Sequence, residues 1–226
     1  MLYLVPTPIG NKEDITLRAL RLLKEASFFL CEDTRTTKKL LSMYDIELEG
    51  KEFFVLTSFI DEHKLKSYKN LIENNEVLMI SEAGTPWLSD PWKSLIELCQ
   101  REQLPFTVLP GANALIPAIV SAGFDTTIFT FLGFLPQKKG RQTLLKKIIQ
   151  EDHATFFYES VHRIEKLCEE LKEYGFVGKI SISREISKLF EQHITGTLEE
   201  IIVQFKEGTI AVKGEFVIGI YPIHKK

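Results

Sequence analysis

The sequence predicts an α/β protein of two domains, with a parallel sheet in the first half and a mixed sheet in the second. The first half alternates short apolar runs with helical patterns, which is typical of a parallel sheet covered by helices on both faces. The second half carries strands and helices in a less regular order. The apolar runs of the first half are Leu2–Val5, Ser27–Cys31, Phe53–Thr57, Val77–Ile80 and Phe106–Leu109.

Helix-start signals support the first-half pattern. The stretch ITLRALRLLKEA has a helical pattern. Asp14 directly precedes it and Thr16 is its second residue, and either can cap a helix at its amino end. A second helix is predicted after Asp90, because Pro91 suits a first helical position and an apolar face follows at helical spacing. That face consists of Trp92, Leu95, Ile96 and Cys99. We therefore interpret Trp92 as a packing residue.

The pattern changes past Gly123. The predicted strands there are Ile128–Phe134, Thr155–Glu159, Lys179–Ser183 and Glu215–Tyr221. Helices are predicted near residues 141–152, 161–174 and 197–207, and Gly175 is placed to end the middle one. We interpret residues 1–120 and 121–226 as two α/β domains, and a cleft between two such domains is a usual place for a ligand.

Composition narrows the class of protein. The chain has 226 residues and a net charge of −3, which argues against general coating of nucleic acid but leaves room for a local basic surface. Three cysteines without a CxxC pair make a disulfide framework improbable. No apolar run is long enough for a membrane span, so we expect a cytoplasmic protein that does not bind membranes.

Four polar or glycine-rich turns follow strands of the first half. They are TPIGN at 7–11, EDTR at 32–35, SEAGTP at 81–86 and PGANA at 110–114. The carboxyl ends of parallel strands meet at one edge of a sheet, where ligands bind, so four such turns favour a binding site over four unrelated tight turns. None of them matches a dinucleotide or P-loop motif.

The EDTR turn allows two interpretations. Glu32 and Asp33 follow a predicted strand directly, and Arg35 comes two residues later. Acidic residues favour a helix amino terminus, so the group can be purely structural. Alternatively, a carboxylate and an arginine at the sheet edge can orient or deprotonate a hydroxyl group.

One stretch of the second half is basic. From Thr126 to Gln150 there are five cations and no acidic residue, and the stretch includes Lys138, Lys139 and Arg141. Such a patch suits contacts to nucleic-acid phosphates, although a solvated helix start explains the charges equally well. No cluster of His, Cys, Asp or Glu has metal-ligand spacing, so no metal site is predicted.

Several segments together resemble one family. LYLVPTPIGNKEDITLRAL, CEDTR, SEAGTPWLSDP, FYESVHRI, SREISKLFEQHITGTLEEI and KGEFVI are similar, in this order, to the ribosomal small-subunit RNA methyltransferase I family. The resemblance implies the tetrapyrrole-methylase-like, class III methyltransferase fold. It also implies 2′-O-methylation of a cytidine ribose in 16S rRNA by a homodimer, with S-adenosylmethionine (SAM) bound in the cleft between the domains.

The resemblance also implies roles for individual residues. Glu32, Asp33 and Arg35 would face the reactive ribose, with Glu32 or Asp33 as the base. Lys38, Lys39, Lys138, Lys139 and Arg141 are expected to contact RNA. The expected SAM contacts are Pro8, Gly10, Ser81, Glu82, Ala83, Gly84, Thr85, Pro86, Leu88, Ala112, Asn113, Ala114, Tyr158 and Glu159.

The chain departs from the family pattern at several positions. Glu82 stands where the family has Asp, and Trp87 and Trp92 stand where it has Gly. Within the expected cofactor loop, Trp87 can stack on a base or on adenine, or it can fill the SAM pocket. The family's carboxyl-terminal extension is also absent after KGEFVI. Two alternatives therefore stay open: a methyltransferase of the same fold with another acceptor, and a catalytically silent dimer that binds RNA or ribosomal partners.

Overall fold

The computed structural model describes residues 1–56, 61–86 and 93–224, except the side chain of Lys93. Internal contacts divide the chain into two compact units, Met1–Asn113 and Ala114–Lys226. The domain boundary at residue 120 and the cofactor cleft between the domains stay predictions. Among the described residues, no helix combines the length and the apolar character that crossing a membrane requires.

The first unit is a five-stranded parallel sheet with the strand order β3-β2-β4-β1-β5. This confirms the predicted parallel sheet, and the ends of the strands fall within two residues of the predicted ones. Its elements are β1 (Leu2–Val5), α1 (Leu17–Glu25), β2 (Phe28–Cys31), α2 (Thr34–Met43), β3 (Glu52–Val55), α3 (Glu62–Asn74), β4 (Val77–Ile80), α4 (Lys93–Arg101) and β5 (Phe106–Val108).

Helices cover this sheet on both faces because successive strand residues point to opposite sides. On one face Val5, Phe29 and Ile80 pack with residues of α1 and α2. On the other face Leu4 and Met79 pack with residues of α3 and α4. The helix after β2 and the helix after β4 therefore lie on opposite faces, although β2 and β4 are neighbours in the sheet.

The structure shows which of the two candidate residues caps the first helix. Thr16, not Asp14, caps α1, and its side chain accepts a hydrogen bond from Ala19 N at 3.1 Å. In α4, Leu95, Ile96 and Cys99 are buried, which confirms that part of the predicted face. Asp90, Pro91 and Trp92 lie outside the described residues.

The second unit is a mixed five-stranded sheet with the order β6-β7-β10-β8-β9. Only β6 and β7 are parallel, and the remaining pairs are antiparallel. The predicted mixed sheet is thus confirmed. Its elements are α5 (Leu115–Ala122), β6 (Phe129–Phe134), α6 (Arg141–Ile148), β7 (Ala154–Ser160), α7 (Ile164–Glu173), β8 (Gly178–Arg184), β9 (Gln192–Thr197), α8 (Leu198–Lys206) and β10 (Glu215–Pro222).

Helices also cover both faces of the second sheet. The helices α6, α7 and α8 pack on the face that carries Phe157, Ile182 and Ile218. Helix α5 packs on the opposite face, against Ala154 and Phe156. The chain leaves α7 at Tyr174, and Gly175 follows with φ +72°, as predicted for the residue that ends this helix.

Candidate functional site

Two of the predicted turns are joined directly at the carboxyl edge of the first sheet. Thr7 and Gly84 form an isolated antiparallel bridge, in which Thr7 N donates to Gly84 O at 2.9 Å and Gly84 N donates to Thr7 O at 3.0 Å. Two hydroxyls reinforce it: Thr7 Oγ1 donates to Ser81 O at 3.3 Å, and Ser81 Oγ donates to Gly84 O at 2.9 Å. The turns after β1 and β4 therefore form one rigid unit.

The turn after β5 joins the same group. Thr85 Oγ1 donates to Ala112 O at 3.1 Å. Gly84 has φ +79°, and a Cβ there would lie 3.2 Å from Ile9 Cγ2 and 3.5 Å from Ala112 O. A Cβ on Gly111 would lie only 2.6 Å from Pro6 Cβ. Glycine is favoured at position 84 by its left-handed backbone and at position 111 by the close approach of Pro6.

The fourth turn, after β2, contacts the turn after β4. Glu82 N donates a hydrogen bond to Glu32 Oε1 at 3.3 Å. Because α2 and α4 leave their neighbouring strands toward opposite faces, the space between these two turns is the crevice where α/β sheets bind ligands. The predicted convergence of four turns is confirmed, and Glu32 lies at the crevice.

Asp33 and Arg35 form a tight local pair. Asp33 caps α2 by accepting from Arg35 N at 2.7 Å, and the Arg35 guanidinium donates to both carboxylate oxygens, at 2.6 and 3.1 Å. These hydrogen bonds lower the pKa of Asp33 to about 2. The structural interpretation of EDTR thus holds for Asp33, while Glu32 stands apart from this pair.

The remaining predicted cofactor residues of the first unit differ in exposure. Gly10, Glu82 and Ala83 are exposed, whereas Ser81, Gly84 and Pro86 are buried. The half-buried ones are Pro8, Thr85, Ala112 and Asn113, and Ala114, also half-buried, precedes α5 in the second unit. Leu88 and Trp87 lie outside the described residues. The cofactor roles of all these residues stay predictions.

Glu159 is the centre of a buried ion-pair network in the second unit. Its carboxylate accepts from Arg141 Nη1 at 2.7 Å, from Arg163 Nε at 2.8 Å and from Ser160 N at 2.8 Å. The side chain of Glu159 is fully buried. The structure therefore gives this residue a scaffolding role, and its predicted contact with SAM stays a prediction.

Arg141 begins α6 and links three elements. Its guanidinium donates to Glu159 and also to Glu170 Oε2, at 2.8 Å. Burial alone would lower the pKa of Arg141, but the two carboxylates raise it above its ordinary value. The RNA contact predicted for Arg141 stays a prediction, and the structure places its side chain inside the network, only 4% exposed.

The other predicted RNA contacts are exposed lysines. Lys38 and Lys39 lie on α2, and Lys138 and Lys139 lie in the loop before α6. Lys38 Nζ also lies 5.1 Å from the centre of the Phe53 ring. Their exposure makes contact with a phosphate sterically feasible.

Tyr158 belongs to an aromatic cluster that the sequence analysis missed. Its ring centre lies 5.2 Å from that of Phe131 and 5.1 Å from that of Phe134. Phe134 is 62% exposed, directly before the basic loop. The sequence does contain a signal for this exposed ring, because FLGF places Phe134 directly after a glycine that can bend the strand.

One group of potential metal ligands occurs among the described residues. Glu151, Asp152 and His153 bring ligand atoms within 4.8 Å of one another. Both ring nitrogens of His153 already have partners, Asp152 at 3.0 Å and Thr130 at 2.8 Å. The group is at the surface and lies between α6 and β7, so we assign it no part in the site.

Comparison with known proteins identifies the family. The family model for tetrapyrrole (corrin/porphyrin) methylases matches residues 1–202. The ribosomal RNA small subunit methyltransferase I of Halalkalibacterium halodurans is 40% identical over 222 residues, which cover 96% of this chain and 74% of that protein. The protein of the same name from a Hydrogenobaculum species is 39% identical and matches 96% of this chain and 94% of its own length.

Solved structures show the same fold at low sequence identity. Uroporphyrin-III C-methyltransferase from Thermus thermophilus, complexed with S-adenyl homocysteine, has a TM-score of 0.60 and 19% identity, with 97% of this chain and 96% of that chain covered. The methyltransferase CobJ has a TM-score of 0.67 and 15% identity, with 100% and 95% covered. The chain therefore has the tetrapyrrole methylase fold and belongs to the ribosomal RNA small subunit methyltransferase I family.

Proposed function

We propose that this protein uses SAM to methylate the 2′-oxygen of a cytidine ribose in the 16S rRNA of the small ribosomal subunit. Membership of the family supports methyl transfer to ribosomal RNA. The observation that carries the proposal is the hydrogen bond from Glu82 N to Glu32, because it brings the acidic EDTR turn to the glycine-containing turn at the ligand-binding edge.

The residues present at this edge fit SAM. The turns after β1, β4 and β5 form a compact cradle, because backbone hydrogen bonds join Thr7 to Gly84 and Thr85 Oγ1 donates to Ala112 O. Gly10 and Ala83 are exposed small residues of these turns, and small residues allow a ligand to approach the backbone closely. Ser81–Pro86, Ala112 and Asn113 would hold SAM, which supplies an electrophilic methyl group on a positively charged sulfur.

Glu32 is the residue that we assign as the base. A ribose hydroxyl is a poor nucleophile until its proton leaves, and a carboxylate within hydrogen-bonding reach can accept that proton. Asp33 is less suited, because its pKa of about 2 makes it a weak proton acceptor and Arg35 occupies both of its oxygens. Arg35 and Asp33 together fix the start of α2 and so position Glu32.

We assign the exposed lysines to contacts with the phosphates of the RNA backbone. The net charge of −3 means that attraction to RNA depends on local cations, and Lys38, Lys39, Lys138 and Lys139 are exposed. Phosphate contacts of this kind position the RNA without reading its sequence. We further propose a homodimer that acts in the cytoplasm, where the small ribosomal subunit is found.

The test combines a cofactor titration with a choice of acceptors. Calorimetric titration of SAM should show saturable binding with a Kd in the micromolar range, about −8 kcal/mol. Assembled small subunits, naked 16S rRNA and a tetrapyrrole are then offered as methyl acceptors. We expect transfer to ribosomal RNA only. Transfer to the tetrapyrrole alone, or no binding at millimolar SAM, would contradict the proposal, and the second result would favour a silent RNA-binding relative.

A further inference from the structure

Phe134 is an exposed aromatic residue in a fixed position. It is the last residue of β6, and the register between β6 and β7 shifts between Phe131 and Phe134. Gly133 adopts φ +61° within this irregular stretch. Bulges of this kind re-aim a side chain at the end of a strand. Phe134 is 62% exposed as a result, although it belongs to the sheet.

The ring of Phe134 packs against the aromatic ring of Tyr158 on the neighbouring strand β7. Its ring centre lies 5.1 Å from that of Tyr158 at an interplanar angle of 53°. The ring centre of Tyr158 lies in turn 5.2 Å from that of Phe131, and the two rings meet edge to face. Pairs at these distances are favourable. Phe134 therefore presents an apolar surface to solvent from a braced position.

A positively charged loop begins directly after Phe134. Lys138 and Lys139 are both exposed, and no acidic residue occurs between Thr126 and Gln150. The loop is anchored at both ends by Arg141, whose Nη1 donates to Pro136 O at 3.5 Å and whose backbone N donates to Lys138 O at 3.2 Å. The buried pair with Glu159 holds Arg141 itself in place. The backbone that carries the two lysines is thus anchored, and the lysines follow Phe134 by four and five residues.

The surroundings of another exposed phenylalanine are different. Phe190 is 68% exposed and lies in the loop between β8 and β9. The carboxylates of Glu185 and Glu191 take part in the hydrogen bonds of that loop, and Glu215 is bonded to Lys188 within it. Residues 185–191 contain two glutamates and one lysine, so they attract an anionic RNA backbone less than residues 135–140, which contain two lysines and no acidic residue. An exposed ring that is followed by a loop with two lysines and no acidic residue distinguishes Phe134 from Phe190.

We propose that Phe134 is a stacking platform for an unpaired base of the RNA substrate, with Lys138 and Lys139 on the adjoining phosphates. This inference rests on the proposed function and narrows its substrate to RNA that is single-stranded at the contact. Bases can stack on aromatic side chains only where they are released from a duplex, and the ring recognises the face of a base without distinguishing its sequence.

The test measures RNA affinity without SAM. Fluorescence anisotropy is recorded with a labelled single-stranded RNA of mixed sequence and with the same strand annealed to its complement. Phe134→Ala should weaken binding of the single strand by about 5- to 100-fold, which is the loss of one base–aromatic stack. Phe134→Tyr should restore it. Phe190→Ala is the matched control and should bind like wild type, and circular dichroism checks that each variant is folded.

Two results would overturn the inference. One is wild-type affinity of Phe134→Ala for the single strand, and the other is an equal loss for single strand and duplex. Because the assay needs no SAM, failure of the proposed function is seen separately. A wild-type protein that stacks RNA through Phe134 but transfers no methyl group would support the platform and contradict the enzyme.

Discussion

Glu32 and Asp33 are neighbours in sequence but differ in what they contact. Arg35 and the start of α2 engage Asp33, whereas Glu32 Oε1 accepts from Glu82 N. The sequence predicted that a carboxylate of EDTR lies at the sheet edge, but it left open which one suits a base. That choice depends on side-chain orientation, which spacing alone does not reveal.

Replacing the two carboxylates separates their roles. Glu32→Gln should lower kcat by about 10²- to 10⁴-fold, the usual contribution of a general base, with little change in the Kd of SAM. Asp33→Asn retains a capping side chain and should lower kcat by less than about tenfold. Single-turnover methyl transfer measures both. A larger effect at Asp33 than at Glu32 would reverse the assignment.

The pH dependence of stability reports on Asp33. Its folded pKa of about 2 lies below the value of an unfolded aspartate, so its contribution to stability is present above the unfolded pKa and is lost as pH falls toward 2. Urea unfolding should therefore show a constant difference between wild type and Asp33→Asn from about pH 5 upward. The difference should shrink in more acidic solution. A difference that grows on acidification would contradict the assigned pair.

At the scale of elements, the carboxyl ends of β1, β4 and β5 are joined by their turns. The alternating apolar runs were sufficient to predict these strands, because buried parallel strands are apolar on both faces. Strand β9 was missed, because it lies at the edge of its sheet and alternates half-buried residues such as Gly196 with exposed residues such as Thr195. An edge strand of this kind has too few large apolar residues to stand out.

Gly84→Ala tests the cradle. The left-handed conformation of residue 84 costs an alanine about 1–2 kcal/mol, and the added Cβ would also make a tight contact of 3.2 Å with Ile9 Cγ2. Gly50→Ala is the matched control, because Gly50 has φ +72° and no atom within 4 Å of its Cβ. Both variants should lose stability in urea, and Gly84→Ala should lose at least as much as the control. Only Gly84→Ala should raise the Kd of SAM, by about tenfold or more. Equal SAM affinity in the two variants would place the cofactor elsewhere.

The Arg141 network joins α6, β7 and α7. Arg141→Ala leaves Glu159 buried with one cation fewer, and breaking a buried pair costs about 3–5 kcal/mol. Arg21→Ala breaks an exposed pair with Glu25 and should cost about 0.3–0.5 kcal/mol. Urea denaturation followed by circular dichroism compares them. Equal costs would show that the network does not stabilise the second unit.

For the whole molecule, the fold class and both sheets followed from the sequence, whereas the roles within the basic segment did not. Charge counting grouped Arg141 with Lys138 and Lys139, but the structure buries the arginine and leaves the lysines exposed. Whether a basic side chain pairs with a buried carboxylate or faces solvent depends on the tertiary structure. The same holds for Phe134, whose exposure depends on an irregular register in β6.

The central claim is methylation of a ribose oxygen in small-subunit RNA. The most direct measurement incubates unmodified small subunits with the protein and SAM, digests the rRNA with nuclease and identifies the methylated nucleotide by mass spectrometry. We predict a single methylated cytidine whose following linkage resists alkaline hydrolysis, because its 2′-hydroxyl is blocked, and product formation about 10²- to 10⁴-fold slower with Glu32→Gln. A methyl group on a base, or none on the RNA while SAM binds, would contradict this account.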